Sequence, residues 1–575
     1  MRGLGVVLFC CAFLLSVAWS HDQSHHHELT ERELGSVHFS TSCSKDVETR
    51  FNHSVALLHS FQYEEARSAF EAVSAKDPTC AMAHWGVAMS HYHGLWENGD
   101  IAAGRAALRK GKALAGSNTK TTAREQAYLD ALAEIYQEDR KDAYAHGVAF
   151  EQKMAALQAA FPDDLEAAIF HALALGITAP KEDKAFANQR KCGEILEPVF
   201  EKLPNHPGVA HYIIHCYDNP ALAQQGLKAA RAYAKIAPAS AHANHMPSHI
   251  FTRVGSWEES AQSNRRSEAL AAAAEPTSKN GEARDQRLHA MDYMAYAYLQ
   301  SGRVTDAQAV LAKMNHLPPA AGVTQTGDYA LAAIPARCAL ELGKWKQASS
   351  LQVRKDGVPW TQALTWMAVG VGSARSANMQ RAAEAEQALA GLRDALAKED
   401  NTYWSKQVEV QRVEIDAWTA QHSGDSNRAA TLMTTAADLE ESMDKYAVTP
   451  GALTPAREML GQLLLLQKRP EEALVAFQSV LHLAPKRFNA LYGAASAAES
   501  AGNASVAHEY FQELLAVSVG DERPEVATAR KKVAVGALPQ SSSNESFRTA
   551  ARSRSAPLNE RNRPLNWQLA VDNRP

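Results

Sequence analysis

The feature that most limits how this chain can fold is a spacing of 34 residues. In "EEALVAFQSVLHLAP", Ala473, Phe477 and Pro485 stand 4 and 8 apart, and Ala507 and Phe511 of "SVAHEYFQELL" follow the first two after 34 residues. The same offsets join Ala66, Phe70 and Pro78 in "YEEARSAFEAVSAKDP" near the other end. A unit of that length holds one pair of helices, which cannot bury its apolar face alone and must stack on its neighbours. At 575 residues the chain also exceeds a single compact core, so an array of such units is the natural reading.

With Pro78, Pro238 and Pro485 as closing residues, units begin near 47, 207 and 454 and are followed by units near 81, 241 and 488. Less regular ones begin near 288, 329 and 410. A small residue then falls where the paired helices cross, at Ser54, Ala88, Ser248, Ala295, Ala336, Ala417, Gly461 and Ala495; Ile214 departs from the pattern. The turns fall at Gly255, Gly302, Gly343, Gly424 and Gly502, where glycine accepts the positive φ that ends a helix. These residues resemble the tetratricopeptide repeat. The resemblance implies an all-α, TPR-like α-solenoid of antiparallel helix pairs in a right-handed superhelix. Residues 41–400 are read as an N-terminal and central array and 401–535 as C-terminal repeats. Residues 101–206, with "REQAYLDALAEIY", are helical in pattern without a clear register, and "EPTSKNGEA" (275–283) interrupts the spacing.

The chain opens on Met1-Arg2, an apolar run from Leu4 to Ala18, and small residues Ala18 and Ser20 around Trp19. That is the pattern of a signal peptide over 1–20, cleaved after Ser20, which sends the protein to a periplasmic or extracellular location. An apolar run of about 15 residues is short of the roughly 20 a membrane span needs. No other run approaches that length, so no transmembrane segment is expected after cleavage. Residues 21–40, starting "HDQSHHH", are expected to form a flexible terminus, and 536–575 a disordered tail rich in Ser, Arg and Pro. The net charge of -5 argues against a nucleic-acid partner. Cys43, Cys80, Cys192, Cys216 and Cys338 remain after cleavage; the odd number leaves at least one thiol unpaired, and Cys43 with Cys80 is a candidate disulfide.

In a tetratricopeptide array the resemblance places the second, fifth, ninth and thirteenth residues of each first helix on the concave groove. By that count His211 and His215 face the groove from the unit at 207, and His242, His245 and His249 from the unit at 241. His289, Asp292 and Tyr296 follow in the next row. Side chains at i and i+4 lie about 5–6 Å apart on one helix face. Four imidazoles, His211, His215, His245 and His249, could therefore converge on one ion such as zinc, copper, nickel or iron, with Asp292 as a carboxylate ligand or support. The alternative is a polar lining of the groove that includes His242, His289 and Tyr296. Pro247 interrupts the second of these helices, so that it either begins late or bends. A second candidate lining is Met82, Trp85, Met89 and His93, suited to an apolar peptide or a soft metal, unless these residues are core.

The segments "NHPGVAHYIIHCYDNP", "YAKIAPASAHANHMPSHIFTRVGSWEESAQSN" and "ALLHSFQYEEARSAFEAV" resemble a family of exported bacterial tetratricopeptide-repeat proteins of unassigned function. That resemblance spans most of 40–350 and implies a fold and a compartment, but no catalytic residue. Two functions follow as expectations. One is an exported scaffold that binds a protein, peptide or other ligand in its groove; the other is a metal-binding protein or metal-dependent hydrolase built on the groove histidines. Neither GxSxG nor GxxxxGK[ST] occurs to support serine hydrolysis or nucleotide chemistry.

Overall fold

The computed structural model describes residues 29–95, 99–137, 143–180, 183–278, 281–318, 325–446 and 448–536. The expected signal peptide, "HDQSHHH" and the tail beyond 536 lie outside the described residues. Within them the regular structure is helical, with no strand, arranged as stacked antiparallel pairs. First helices begin where the spacing puts them: Glu48–His59, Ala81–Met89, Pro207–Tyr217, Gln325–Glu341, Ala456–Leu466 and Phe488–Ser500. The packing inside a repeat is the same at both ends of the array. A Cβ on Gly86 would meet the ring of Phe70 at 2.4 Å, and one on Gly493, at the same offset of 16 residues, would meet Phe477 at 2.4 Å.

Gly255, Gly302, Gly343, Gly424 and Gly502 all have φ between 62° and 85°. Turns without glycine pay for the same geometry with a strained residue, Phe61 at φ 53° and Ala377 at φ 64°. Ala377 joins Pro359–Arg375 to Met379–Lys398, a helix pair that the glycine pattern does not mark. The described residues of 101–206 contain five further helices, from Ile101–Ser117 to Ala187–Lys202. No helix among the described residues is long and apolar enough to cross a membrane.

Three sequence expectations are corrected. From residue 29 the N-terminal segment is packed: Leu34, Val37 and Phe39 are buried, and Ser36 N–H donates to the Asn205 carbonyl at 3.0 Å. Met82, Trp85 and Met89 do not line a groove but are core, Trp85 lying among Phe39, Tyr128 and Phe170, because the helices that follow Met89 cover that face. The groove itself is not open over the histidines. The C-terminal repeats turn back on the central ones: Trp257 Nε1 donates to the Lys486 carbonyl at 3.0 Å and Val519 N–H to the Ser301 carbonyl at 2.8 Å. Residues 443–446 and 448–455 are thereby laid across the face that carries the histidines.

Cys43–Cys80 and Cys192–Cys216 are disulfides, and Cys338 is a buried free thiol, as an odd cysteine count requires.

Candidate metal centre

Three stretches of helix bring the histidines together. Pro207–Tyr217 begins with proline at its first position, where the missing N–H costs nothing, and carries His211 and His215 one turn apart. The "HANHMPSHIF" stretch is a broken helix. Ala241–His245 starts from a Ser240 cap that accepts from Ala243 N–H at 3.2 Å, and Pro247–Arg253 starts anew after Met246. The carbonyls freed by the break are taken by hydroxyls, His245 by Ser248 at 2.7 Å and Asn244 by Ser263. His242 and His245 stand on the first piece, His249 on the second, and His289 on Glu282–Gln300.

The imidazoles form two neighbouring triads rather than the single cluster of four expected. His211, His215 and His242 make one and His245, His249 and His289 the other; within each, one ring nitrogen per residue lies within 4.8 Å of the others. His211 Nε2 is 3.1 Å from His215 Nε2 and 3.0 Å from His242 Nε2, and His245 Nε2 is 3.0 Å from His249 Nε2. The triads adjoin, with ring centroids 6.3 Å apart for His242 and His245 and 6.4 Å for His215 and His249. His242 and His289, read from the sequence as groove lining, each complete a triad.

Hydrogen bonds at the far nitrogens define the tautomers. His211 Nδ1–H donates to the His59 carbonyl at 2.6 Å. His245 Nδ1–H donates to Asn264 Oδ1 at 2.7 Å, and that amide is oriented by its own Nδ2, which donates to the Ser260 carbonyl at 2.8 Å. His249 Nδ1–H donates to the Asp218 carboxylate at 2.8 Å, a group that only accepts when ionised. These three rings, His211, His245 and His249, therefore carry the proton on Nδ1 and present a bare lone pair at Nε2. At His245 and His249 two such lone pairs face one another across 3.0 Å.

A proton between them would relieve the repulsion, but the surroundings oppose it. Burial, then the neighbouring imidazoles, holds His211, His215, His242 and His289 well below the usual histidine range. His245 is pulled down to about 3 by burial and by His249, and burial lowers His249 against the pull of Asp218. A divalent ion with nitrogens at about 2.0–2.1 Å places adjacent ligand atoms roughly 3 Å apart, the separation found here.

A third cluster shows the contrast. Glu166 accepts from His59 Nε2 at 3.0 Å and His206 Nε2 at 2.9 Å, and His59 Nδ1 meets the Tyr212 hydroxyl at 2.9 Å. There donors meet acceptors, and despite burial the two imidazoles hold the Glu166 carboxyl below its usual range. That is a hydrogen-bond network gathered on one carboxylate, with His206 Nδ1 left buried and without a partner. Asp292 also lies apart from the triads: it is fully buried against Arg337, with Nε 3.5 Å from Oδ1. Tyr296 is buried and accepts from Arg487 at 3.2 Å, and His93 stacks on Tyr63 with centroids 4.1 Å apart.

The supporting residues were missed by the sequence reading. Asp218 stands three residues after His215 in "HCYDNP", close enough in sequence to have been a candidate. It also holds Arg253 Nε at 2.9 Å and Lys445 Nζ at 2.8 Å. Lys445, from the segment laid over the site, leaves no sequence signal. Tyr293 is placed above His249, with stacked rings at 5.0 Å, and donates to the Thr449 carbonyl at 3.0 Å.

No protein-family model matches the chain, and no curated protein matches it. Among solved structures it is similar to yeast Tom70, at 12% identity and a TM-score of 0.30, with 86% of this chain and 90% of that one covered. It is also similar to a monomeric IFIT1 mutant solved with m7Gppp-AAAA, at 13% identity and a TM-score of 0.33, with 76% and 90% covered. Overlap that loose has no bearing on function.

Proposed function

We propose that this protein is an exported helical-repeat scaffold that binds ligands in its interior, and that its principal ligands are two transition-metal ions, one on each histidine triad. The observation that carries this reading is the pair of bare Nε2 atoms of His245 and His249 at 3.0 Å, with both Nδ1 protons committed to Asn264 and Asp218. An electrophile between them turns a repulsive contact into two bonds. Neutral imidazole suits zinc, copper, nickel or iron, and second-shell acceptors on Nδ1 are the usual means of orienting such ligands.

Three protein ligands per ion leave a further coordination position for water or substrate, the arrangement of catalytic rather than structural zinc sites. A metal-dependent hydrolytic role fits that arrangement. Two disulfides and the signal-like opening support a location outside the cytoplasm.

The test is elemental analysis of the mature, untagged chain expressed with export, beside a His245→Ala, His249→Ala double variant and a His211→Ala, His215→Ala double variant. Close to two ions per chain are expected in the parent and close to one in each folded variant. A parent that binds no metal after incubation with zinc or copper, or variants that bind as much as the parent, would overturn the reading.

A further inference from the structure

The two triads stand closer together than two separate metal sites require. Across the boundary, the ring centroids of His242 and His245 are 6.3 Å apart and those of His215 and His249 are 6.4 Å apart. The outer pairs inside the triads are no nearer: His215 and His242 stand 6.5 Å apart, and His249 and His289 6.3 Å. The six imidazoles therefore form one continuous cluster. Ions held in its two halves are near enough to share a bridging ligand, as ions about 3.5–4 Å apart do in two-metal sites.

Charge selects the ions. No carboxylate belongs to either triad. The carboxylates around them are already matched, Asp218 and Asp444 by Arg253 and Lys445, and Asp292 by Arg337. Aromatic rings cover the rest. Phe61 lies 4.3 Å from His211 and 5.6 Å from His215 and from His242, centroid to centroid; Tyr293 lies 4.8 Å from His245, 5.0 Å from His249 and 5.3 Å from His289. Two divalent ions would bring four positive charges into this interior with no anion to offset them, a burial that low-dielectric surroundings penalise. Two monovalent ions bring half as many. Of the metals that imidazole takes, copper is the one with a stable monovalent state, and its divalent state heads the order of affinity.

We propose that the six histidines hold a pair of copper(I) ions that binds dioxygen between them. The inference rests on the two-ion reading of the triads and names both the ions and the molecule that fills their open positions. Each copper(I) gives up one electron, and dioxygen takes both to become a peroxide that bridges two copper(II) ions. One O–O π bond is lost, the σ bond is kept, copper–oxygen bonds form, and no proton is consumed. The charge of the centre is unchanged: two copper(I) ions carry two positive charges, and so do two copper(II) ions with one peroxide dianion. The buried cluster thus needs no counter-ion for the step. Donors beside the rings that could protonate the bound oxygen are committed elsewhere, the Tyr293 hydroxyl to the Thr449 carbonyl at 3.0 Å, and Lys445 and Arg253 to Asp218. Dioxygen is accordingly released unchanged when its pressure falls.

The experiment uses the full mature chain, stripped with a chelator, loaded with copper(I) in the absence of oxygen and desalted, with copper counted before air is admitted. No thiol reductant is used, so that Cys43–Cys80 and Cys192–Cys216 stay closed. Expected are about one dioxygen taken up per two coppers, an intense near-ultraviolet charge-transfer band that disappears on flushing with argon, and no copper(II) spin-resonance signal, because the bridge couples the two spins. The His211→Ala, His215→Ala double variant should keep about one copper, show no such band and give a full copper(II) signal once oxidised. His242→Gln and His289→Gln, one change in each triad, should each weaken dioxygen binding at least tenfold. Two bound coppers that take up no dioxygen, or that give an uncoupled copper(II) signal in air, would overturn this inference and leave the two-ion reading standing; a band that persists in the double variant would overturn the bridging arrangement. A parent that holds fewer than two coppers would overturn the inference as well, and whether zinc then binds at two per chain decides if the two-ion reading falls with it.

Discussion

Asp218 Oδ2 accepts the Nδ1 proton of His249 at 2.8 Å while the same carboxylate holds Lys445 at 2.8 Å and Arg253 at 2.9 Å. One side chain thus ties the orientation of a candidate ligand to the segment that covers it. Asp218→Asn should lower metal affinity about 10–100-fold, the usual cost of losing an outer acceptor. Competition against a chelator of known affinity measures this, and an unchanged affinity in the folded variant would remove Asp218 from the centre.

The histidines should make the metal-free protein sensitive to acid. The folded state holds His245 near 3, whereas an unfolded histidine titrates near 6.5. Between these values the unfolded chain binds more protons, so the stability present above pH 6.5 is lost as the pH falls toward 3. At pH 5.5 this group alone accounts for about 1.4 kcal/mol. Urea melts of the chelated parent and of His245→Gln at pH 7.5 and 5.5 give the comparison: the variant should lose about 1 kcal/mol less, and parallel losses would contradict the linkage.

Arg487 is fully buried between Glu458, 2.6 Å from its Nε, and Glu341, with Tyr296 as a further partner. It joins the C-terminal repeats to the central ones. Arg487→Ala leaves two buried carboxylates without a cation and should cost about 3–5 kcal/mol. Loss of a single cooperative melt, with early proteolytic release of the C-terminal repeats, is the expected sign. A variant that melts with the parent would show that this junction contributes nothing to cooperativity.

Two turn glycines separate backbone strain from packing. Gly255 and Gly502 have similar φ, 70° and 77°, but a Cβ on Gly255 would stand 2.5 Å from the Pro485 carbonyl, whereas one on Gly502 meets nothing within 4 Å. Gly502→Ala should cost only the left-handed conformation, about 1–2 kcal/mol. Gly255→Ala should cost clearly more, because the contact with the 485–486 turn must also open. Equal shifts in denaturation midpoint would place the two repeats out of contact in solution.

The helix pairs, their turns and the approximate start of each first helix were legible because the contacts that define them lie within one 34-residue unit. Gly255, Gly302, Gly343, Gly424 and Gly502 mark turns in the sequence and adopt the conformation that only glycine takes without strain. The pair around Ala377 was not legible, since alanine there carries no such mark. Clustering of the histidines was readable from i, i+4 spacing, but their division was not. A regular helix through 241–253 would have aimed His242, His245 and His249 along one line. The break at Met246–Pro247, and the separate positions of the 207–217 and 282–300 helices, assign them to two triads.

By itself, then, the amino-acid order determined an array of helix pairs with histidines gathered near its middle, because periodicity and turn chemistry act over a few residues. Only the tertiary structure decided that Met82, Trp85 and Met89 are core, that Asp218 and not Asp292 supports the imidazoles, and that Lys445 closes over them from 227 residues away. Those outcomes depend on how small rotations between successive helix pairs accumulate along the array. No local stretch of sequence records that sum.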